Sequence, residues 1–197
     1  LKDQVGERLQ TALASDPHAA IIVVDNDSAD GTADLVRASS RRAELIVNDR
    51  NLGFGAASNQ AIRRAGRAGA QYVYLLNPDT VVEPDFLREA LAVAGEDEAV
   101  AAVQSLLLLE PRNELIDSAG NRLHFLGFGY CALHCRPRPE APTEPVETAF
   151  ASGAGVLLRV DALHRIGSFR EDLELFCEDL DLGWRFRLAG FRSLLAP

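Results

Sequence analysis

Residues 21–32 have the sequence IIVVDNDSADGT, in which four β-branched residues run directly into a polar turn. A continuous apolar run of this kind is typical of a strand that is buried on both faces of a parallel sheet. The Asn, Asp, Ser and Gly residues that follow favour a turn with side-chain caps and positive φ angles. Asp30 or Thr32 can then cap a helix over about 32–41. The segment therefore predicts a strand, a turn and a helix, which is the repeating unit of an α/β sheet.

The same alternation extends in both directions along the chain. Apolar residues spaced by three and four predict a helix over 2–14, and later helices are predicted over about 55–67, after Pro84, from about Asp161 and over about 178–189. Further strands are predicted at 45–47, 72–76 and 154–158, with extended segments at 100–109 and 115–128 and a proline-rich loop at 137–145. In the last helix, Leu180, Trp184 and Leu188 share one face, which we expect to face the core.

Composition narrows the function classes. The chain has 197 residues and a net charge of −9, which disfavours broad contact with nucleic acid or anionic lipid. No apolar run approaches the roughly 18 residues that span a bilayer, and the polar N-terminus lacks a signal peptide. The three cysteines are expected to be reduced thiols rather than a disulfide framework. A structural zinc site at Cys131, His134 and Cys135 would need a fourth ligand, for which His124 is the nearby candidate, so free thiols are favoured there. The chain starts at Leu1, contains no methionine and ends in an apolar, strand-like stretch, so we expect a trimmed sequence.

Two acidic turns follow predicted strands, and ligands in open α/β sheets bind at the carboxyl ends of strands. Asp25 follows the first strand, and Asn77-Pro78-Asp79 follows the third. Each turn has a purely structural alternative, a helix-capping turn for Asp25 and a β-turn for the second segment. In a functional interpretation, Asp25 accepts hydrogen bonds from a ligand N–H group. The second turn would then offer oxygen ligands to a hard cation such as Mg²⁺ or Mn²⁺.

Two further segments could carry chemistry. Residues 171–181 hold six carboxylates, and the start of the last helix places Glu178 and Asp179 among them. Acidic residues in a first helical turn are explained by the helix dipole alone, whereas a functional interpretation makes one of them a general base. Residues 51–59, NLGFGAASN, place small residues where a loop enters a helix. Such residues permit close backbone approach to a phosphate or a ribose.

Taken together, four segments resemble, in order and spacing, the family 2 inverting glycosyltransferases, especially their rhamnosyltransferase-like branch. They are residues 23–32, 51–59, 75–80 (LLNPDT), and 152–159 followed by 176–185 (FCEDLDLGWR). The resemblance covers about residues 20–197 and implies an α/β GT-A fold, with a Rossmann-like, mostly parallel central sheet flanked by helices. It implies truncation at both ends, because the family's first strand and a downstream histidine would lie outside the chain. One domain over 1–197 is expected, with a nucleotide-binding half at about 1–98 and an acceptor and catalytic half at about 99–197.

The resemblance also implies a role for each matching position. Asp25 would bind the uracil or thymine ring of the donor, and the residues lining the nucleotide pocket would be Asn26, Asn51, Gly53 and Asn59. Asn77 and Asp79 stand at the D-x-D position of the family, where Asp79 would reach Mg²⁺ or Mn²⁺ and, through it, the diphosphate. Asp179 would be the catalytic base, with Glu178 beside it.

The expected activity is transfer of a sugar from dTDP-rhamnose or a UDP-hexose to a hydroxyl of a saccharide or lipid-linked saccharide. We expect it in the cytoplasm, where activated sugars are made, with peripheral attachment to the inner face of the membrane left open. One alternative is a non-catalytic sugar-nucleotide-binding or scaffold domain of the same fold, which would bind the donor without turnover. Another is a phosphoacceptor receiver domain, which requires a lysine near the acidic pocket, whereas the sole lysine is Lys2. The loop over 128–148 has no readable pattern.

Overall fold

The computed structural model describes residues 2–40, 42–111, 113–173 and 176–197. The helices are α1 (Lys2–Ser15), α2 (Thr32–Ser39), α3 (Phe54–Arg67), α4 (Phe86–Gly95), α5 (Val160–Ile166) and α6 (Glu178–Leu188). The longer strands are β1 (Ile21–Asp25), β2 (Ala43–Val47), β3 (Tyr72–Leu76), β4 (Val100–Ser105), β10 (Gly155–Arg159) and β11 (Arg192–Ala196). The short strands are β5 (Leu107–Leu108), β6 (Ile116–Ser118), β7 (Asn121–Leu123), β8 (Gly129–Cys131) and β9 (Val146–Thr148). The predicted helices, and the strands predicted at 21–24, 45–47, 72–76 and 154–158, are confirmed with ends that differ by one or two residues. The extended segments predicted at 100–109 and 115–128 are divided among β4, β5, β6 and β7.

Five strands form the central sheet, in the order β3-β10-β4-β11-β9. β10 runs antiparallel between β3 and β4, β11 runs parallel to β4, and β9 is antiparallel to β11. The sheet is therefore mixed, rather than mostly parallel as expected, because β9 and β10 run against the other three strands. The register pairs Leu76 with Gly155 and Gln104 with Val156. The ends of β3 and β4 thus meet the start of β10 at one edge.

β1 and β2 form a separate parallel pair, from Ile21 opposite Ala43 to Asp25 opposite Val47. In the described parts of the chain this pair shares no backbone ladder with β3, and α3 contacts both β1 and β3. Residues 21–24 are only half-buried. Full burial was predicted from their apolar run, and the difference arises because β1 has a strand neighbour on one side only.

The core lies in two layers, one on each face of the five-stranded sheet. One layer contains Ile62 of α3, Leu163 of α5 and Phe186 of α6. The other contains Ala90 and Val93 of α4. Side chains of β10 alternate between them, since Val156 and Leu158 enter the first layer and Leu157 enters the second. This is the period of two expected for a strand covered on both faces, and it confirms the α/β architecture.

The orientation of α6 differs from the prediction. Its buried residues include Leu182, Gly183 and Phe186, whereas Trp184 is 47% exposed and Leu188 is 73% exposed. A Cβ atom on Gly183 would lie 2.3 Å from the Cβ of Phe150, so the missing side chain lets the helix pack tightly there. The expectation that the Leu180–Trp184–Leu188 face packs on the core is therefore wrong for Trp184 and Leu188.

Within the described residues, no helix has both the length and the apolar character that a bilayer-spanning segment requires. Cys131, Cys135 and Cys177 are free and exposed, as expected for reduced thiols.

Candidate active site

The candidate site lies where β3 ends and β10 begins, close to the start of α6. The turn after β3 is closed by a hydrogen bond from the Thr80 amide to the Asn77 carbonyl, 3.2 Å long. The Asn77 amide donates to the carbonyl of Ala154 at 3.1 Å, which joins this turn to the loop that leads into β10. Residues 152–154 are thereby held between the Asn77 turn on one side and α6 on the other.

Asp25 is the last residue of β1 and is buried. Its Oδ1 accepts a hydrogen bond from the Ser28 amide at 2.8 Å, which is the contact expected of a local turn. Its Oδ2 is also buried and has no hydrogen-bond partner among the described residues. Leaving a buried acceptor unsatisfied costs about 1–3 kcal/mol. A ligand N–H group would satisfy this oxygen, so the turn-forming and ligand-binding roles of Asp25 are compatible.

Asn26 ties this turn to the loop that precedes α3. Its side-chain amide donates to Oδ1 of Asn51 at 2.8 Å, and its Oδ1 accepts from the Leu52 amide at 3.0 Å. The Gly53 amide also donates to Oδ1 of Asn51, at 2.9 Å. Gly53 has φ 82° and ψ 167°, a backbone conformation that is essentially restricted to glycine. The structure thus gathers four of the predicted pocket residues, Asp25, Asn26, Asn51 and Gly53.

The side chain of Asn59 contacts residues 169–171 and not the cluster around Asp25. It is buried in α3, donates to the carbonyl of Phe169 at 2.9 Å and accepts from the amide of the same residue at 3.0 Å. It also donates to Glu171 at 3.0 Å. Both ends of its amide are therefore engaged in fastening α3 to residues 169–171, and the structure does not bring this side chain into the Asp25 cluster.

Asp79 is exposed on the turn after β3, and its carboxylate has no hydrogen-bond or ion-pair partner in the described part of the chain. The described residues contain no group of three or more His, Cys, Asp or Glu side chains that could hold a metal ion. The described side chains around Asp79 therefore do not form a complete metal site by themselves. The turn fits a different arrangement, in which one carboxylate and the substrate phosphates share a Mg²⁺ or Mn²⁺ ion.

Asp179 lies in the first turn of α6, half-buried, next to the loop that leads into β10. Its Oδ1 accepts from the Leu180 amide at 2.7 Å, and the backbone amides of Leu180 and Gly153 both favour the ionised carboxylate. Burial raises the pKa of Asp179, and these amides oppose the shift only in part. A fixed carboxylate with a raised pKa is suited to removing a proton.

Glu178 precedes it and is more deeply buried, with an Oε2 atom that has no partner among the described residues. Burial raises the pKa of Glu178, and the charge of Asp179 adds to the shift. Phe176 and Cys177, directly before the helix, both have positive φ angles, 70° and 68°. Glu174, another of the six acidic residues counted in the sequence, lies outside the described residues.

Two contributors to the site were not identified from the sequence. Gln104 is fully buried, accepts from the Ser152 amide at 2.8 Å and donates to Ser118 at 3.0 Å, so it anchors the loop that leads into β10. The backbone amide of Gly153 lowers the pKa of Asp179, and a Cβ at Gly153 would lie 2.7 Å from the ring of Phe54. The one sequence feature that could have identified Gln104 is that it is a glutamine within the apolar run 100–109. No local feature of the sequence indicates a role for Gly153.

Comparisons with known proteins identify the family and the fold of the chain. The sequence profile of the family described as "Glycosyl transferase family 2" matches residues 2–167. A Mycobacterium tuberculosis N-acetylglucosaminyl-diphospho-decaprenol L-rhamnosyltransferase is 28% identical over 94% of this chain and 66% of its own length. A Staphylococcus aureus poly-beta-1,6-N-acetyl-D-glucosamine synthase is 26% identical over 90% of this chain and 40% of its own length. The chain thus spans about two fifths to two thirds of these relatives.

The fold has counterparts among solved structures. A mannosyltransferase from Pyrobaculum calidifontis, solved in complex with GDP-mannose and Mn²⁺, superposes with a TM-score of 0.68. It is 18% identical, and the match covers 100% of this chain and 51% of that one. This likeness establishes the GT-A type of α/β fold. Together with the profile match over most of the sequence, it leads to one conclusion: the chain belongs to glycosyltransferase family 2.

Proposed function

We propose that this domain is an inverting glycosyltransferase that moves a sugar from a nucleotide diphosphate donor to an acceptor hydroxyl. The observation that carries the proposal is Asp179, a half-buried carboxylate that accepts a hydrogen bond from the Leu180 amide and lies near the Gly153 amide, in the loop that the Asn77 turn holds. In this proposal Asp179 is the base and the turn of Asn77 and Asp79 binds the diphosphate, which are the two groups that glycosyl transfer needs.

In this proposal the donor nucleotide occupies the cluster of Asp25, Asn26, Asn51 and Gly53. The unpartnered Oδ2 of Asp25 would accept the ring N–H of a uracil or thymine base. The hydrogen bonds of Asn26 and Asn51 hold the two flanking loops at a fixed separation. Asn59 keeps α3 fastened to residues 169–171 and acts as a positioning residue, not as a direct ligand.

Catalysis would proceed in one displacement. Asp179 accepts the proton of the acceptor hydroxyl, and the acceptor oxygen forms a bond to the anomeric carbon. The bond between that carbon and the diphosphate oxygen breaks, and its electron pair leaves with the nucleoside diphosphate. A divalent cation held by Asp79 and the diphosphate would supply Lewis-acid stabilisation of the leaving group. One in-line attack inverts the anomeric configuration.

The relatives suggest the substrate class. The M. tuberculosis relative is named for transfer of L-rhamnose to a diphospho-decaprenol-linked sugar, and the S. aureus relative for synthesis of a polysaccharide. We infer a dTDP-rhamnose or UDP-hexose donor and a saccharide or lipid-linked saccharide acceptor in cell-envelope glycan synthesis. The proposal assigns the reaction to the cytoplasm, because activated sugars are made there.

A transfer assay tests the proposal. Purified protein is given a panel of nucleotide sugars and saccharide acceptors with Mn²⁺, and the product's anomeric configuration is determined. We expect an inverted product, and a loss of about 10²–10⁴ in rate for Asp179→Asn, as is typical when a general base is removed. Donor binding should remain close to wild type in this variant. Transfer at wild-type speed by Asp179→Asn would overturn the assignment of the base, and donor binding without transfer would favour a non-catalytic binding domain.

A further inference from the structure

An apolar groove lies between α6 and the hairpin of β7 and β8. The tip of the hairpin, residues 124–128, has the sequence HFLGF, and Phe125, Leu126 and Phe128 are all exposed, Phe125 to 87%. The outer face of α6 forms the opposite wall with Leu180 and Trp184. The groove has a volume of about 490 Å³, within the usual range for small-molecule sites.

The hairpin is seated firmly against α6. Gly129 lies so close to the helix that a Cβ there would be 2.7 Å from Cδ1 of Leu180 and 2.7 Å from the ring of Phe150. The wall of the groove near Leu180 is therefore set by close packing, while the aromatic tip beyond it stays in water. Contiguous exposed apolar patches often mark interaction or ligand-binding sites, which makes this hairpin tip a candidate binding surface.

The groove runs along the first turn of α6, which also carries the proposed base. Cys177, Leu180 and Asp181 line it and are the helix neighbours of Asp179 in sequence. Its charged lining residues are already paired, Arg170 with Asp172 and Asp181 with Arg185. The groove is thus mainly aromatic and aliphatic, which suits a neutral hydrocarbon better than a charged ligand.

We propose that this groove binds the apolar chain of an amphiphilic acceptor whose hydroxyl-bearing head group lies at Asp179. The assignment rests on the proposed function, because it is the transfer reaction that makes the ligand an acceptor. A concave, charge-neutral wall beside the base fits a single hydrocarbon chain. The net charge of −9 opposes adsorption of the same surface to an anionic bilayer.

The chain contains a direct reporter, since Trp184 is its only tryptophan and lines the groove. We would titrate octyl glucoside below its micelle concentration and follow the emission of Trp184. A saturable blue shift is expected, and an octyl glucoside brominated on its tail should quench the emission through contact. Each methylene added to the tail should tighten binding about four-fold until the groove is filled.

Phe125→Ser and Phe128→Ser form a matched pair on the same hairpin. Both side chains are exposed, so neither change should affect folding, but only Phe125 lines the groove. Phe125→Ser should weaken octyl glucoside binding roughly 3- to 10-fold, and Phe128→Ser should leave it within about two-fold. Unchanged Trp184 emission, or equal effects of the two substitutions, would overturn the proposal.

Other occupants give different results. A blue shift that appears only with phosphatidylcholine vesicles would assign the surface to a membrane, and one that grows with protein concentration alone would assign it to a second copy of this chain. Either result overturns the acceptor assignment. In the transfer assay, Phe125→Ser should lose the preference for long-tailed acceptors but keep wild-type kcat/KM for a methyl glycoside. Failure of all transfer with intact tail binding would overturn the proposed function and leave an apolar ligand site.

Discussion

At the level of single residues, the proposed chemistry depends on the protonation of Asp179. Burial raises the pKa of its carboxyl group, and a base must be deprotonated to act. The rate of transfer should therefore fall as the pH drops through this raised pKa. A profile of kcat/KM against pH should show an acid limb with an apparent pKa above the ordinary aspartate range. A limb at the ordinary aspartate value would contradict the environment described for Asp179.

Glu178 offers a separate test through stability. Because its folded-state pKa is raised, ionised Glu178 destabilises the folded protein at neutral pH, and this cost disappears as acid protonates the carboxyl. Glu178→Gln should therefore raise the Tm at pH 7, with a gain that shrinks as the pH is lowered. Thermal unfolding from pH 7 toward pH 4 measures this. The exposed Glu83, changed to Gln, serves as the control and should show no such gain.

At the level of elements, α6 shows why the spacing of apolar residues does not determine which face of a helix packs on the core. Leu180, Trp184 and Leu188 lie at helical spacing, but so do Leu182 and Phe186. The sequence therefore presents two apolar faces, and the periodicity does not choose between them. The choice is made by Gly183, whose contact with Phe150 brings the helix close on the other side. That contact joins residues 33 positions apart, so a short stretch of sequence around α6 does not predict it.

The same contact yields a stability prediction. Gly→Ala in a helix normally stabilises it by up to about 1 kcal/mol. At Gly183 the new Cβ would meet the Cβ and backbone of Phe150, so Gly183→Ala should instead destabilise the fold by about 1–3 kcal/mol, as overpacking does. Gly95, at the end of α4, has open space around the same position, and Gly95→Ala should be neutral or stabilising. Denaturant unfolding of both variants checks this, and equal effects would refute the packing described for α6.

The turns could be predicted from the adjacent sequence, whereas the contacts between distant elements could not. Asp25 follows an apolar run that the sequence identifies as a strand, so its place at a sheet edge could be inferred from strand geometry alone. The family resemblance places Asn59 in the pocket with Asn51 and Gly53, which lie in the same segment. The partners of Asn59 within residues 169–171 lie 110 and 112 residues away, and no local pattern encodes such a pairing.

At the level of the whole molecule, the proposed donor site draws on two separate sheets, the β1–β2 pair and the five-stranded sheet. The cluster around Asp25 belongs to the β1–β2 pair, whereas Asp79 and Asp179 belong to the five-stranded sheet and its covering helix. In the described part of the chain no backbone ladder connects the two sheets, and α3 is the element in contact with both β1 and β3. Binding of a nucleotide diphosphate would therefore require the base-binding cluster and the Asp79 turn to be held in register through α3.

The most direct test of this account is a calorimetric titration of the protein with UDP and with dTDP, with and without Mn²⁺. We predict binding that Mn²⁺ strengthens, with one base preferred over the other. Asp79→Ala should remove most of the Mn²⁺ dependence and weaken binding at least about 10-fold, since even residues outside a metal's direct ligands contribute that much. Asp85→Ala, which removes an exposed carboxylate near the same turn, should bind like the wild type. Absence of binding to either nucleotide, or binding that Mn²⁺ and Asp79→Ala leave unchanged, would contradict the proposed donor site.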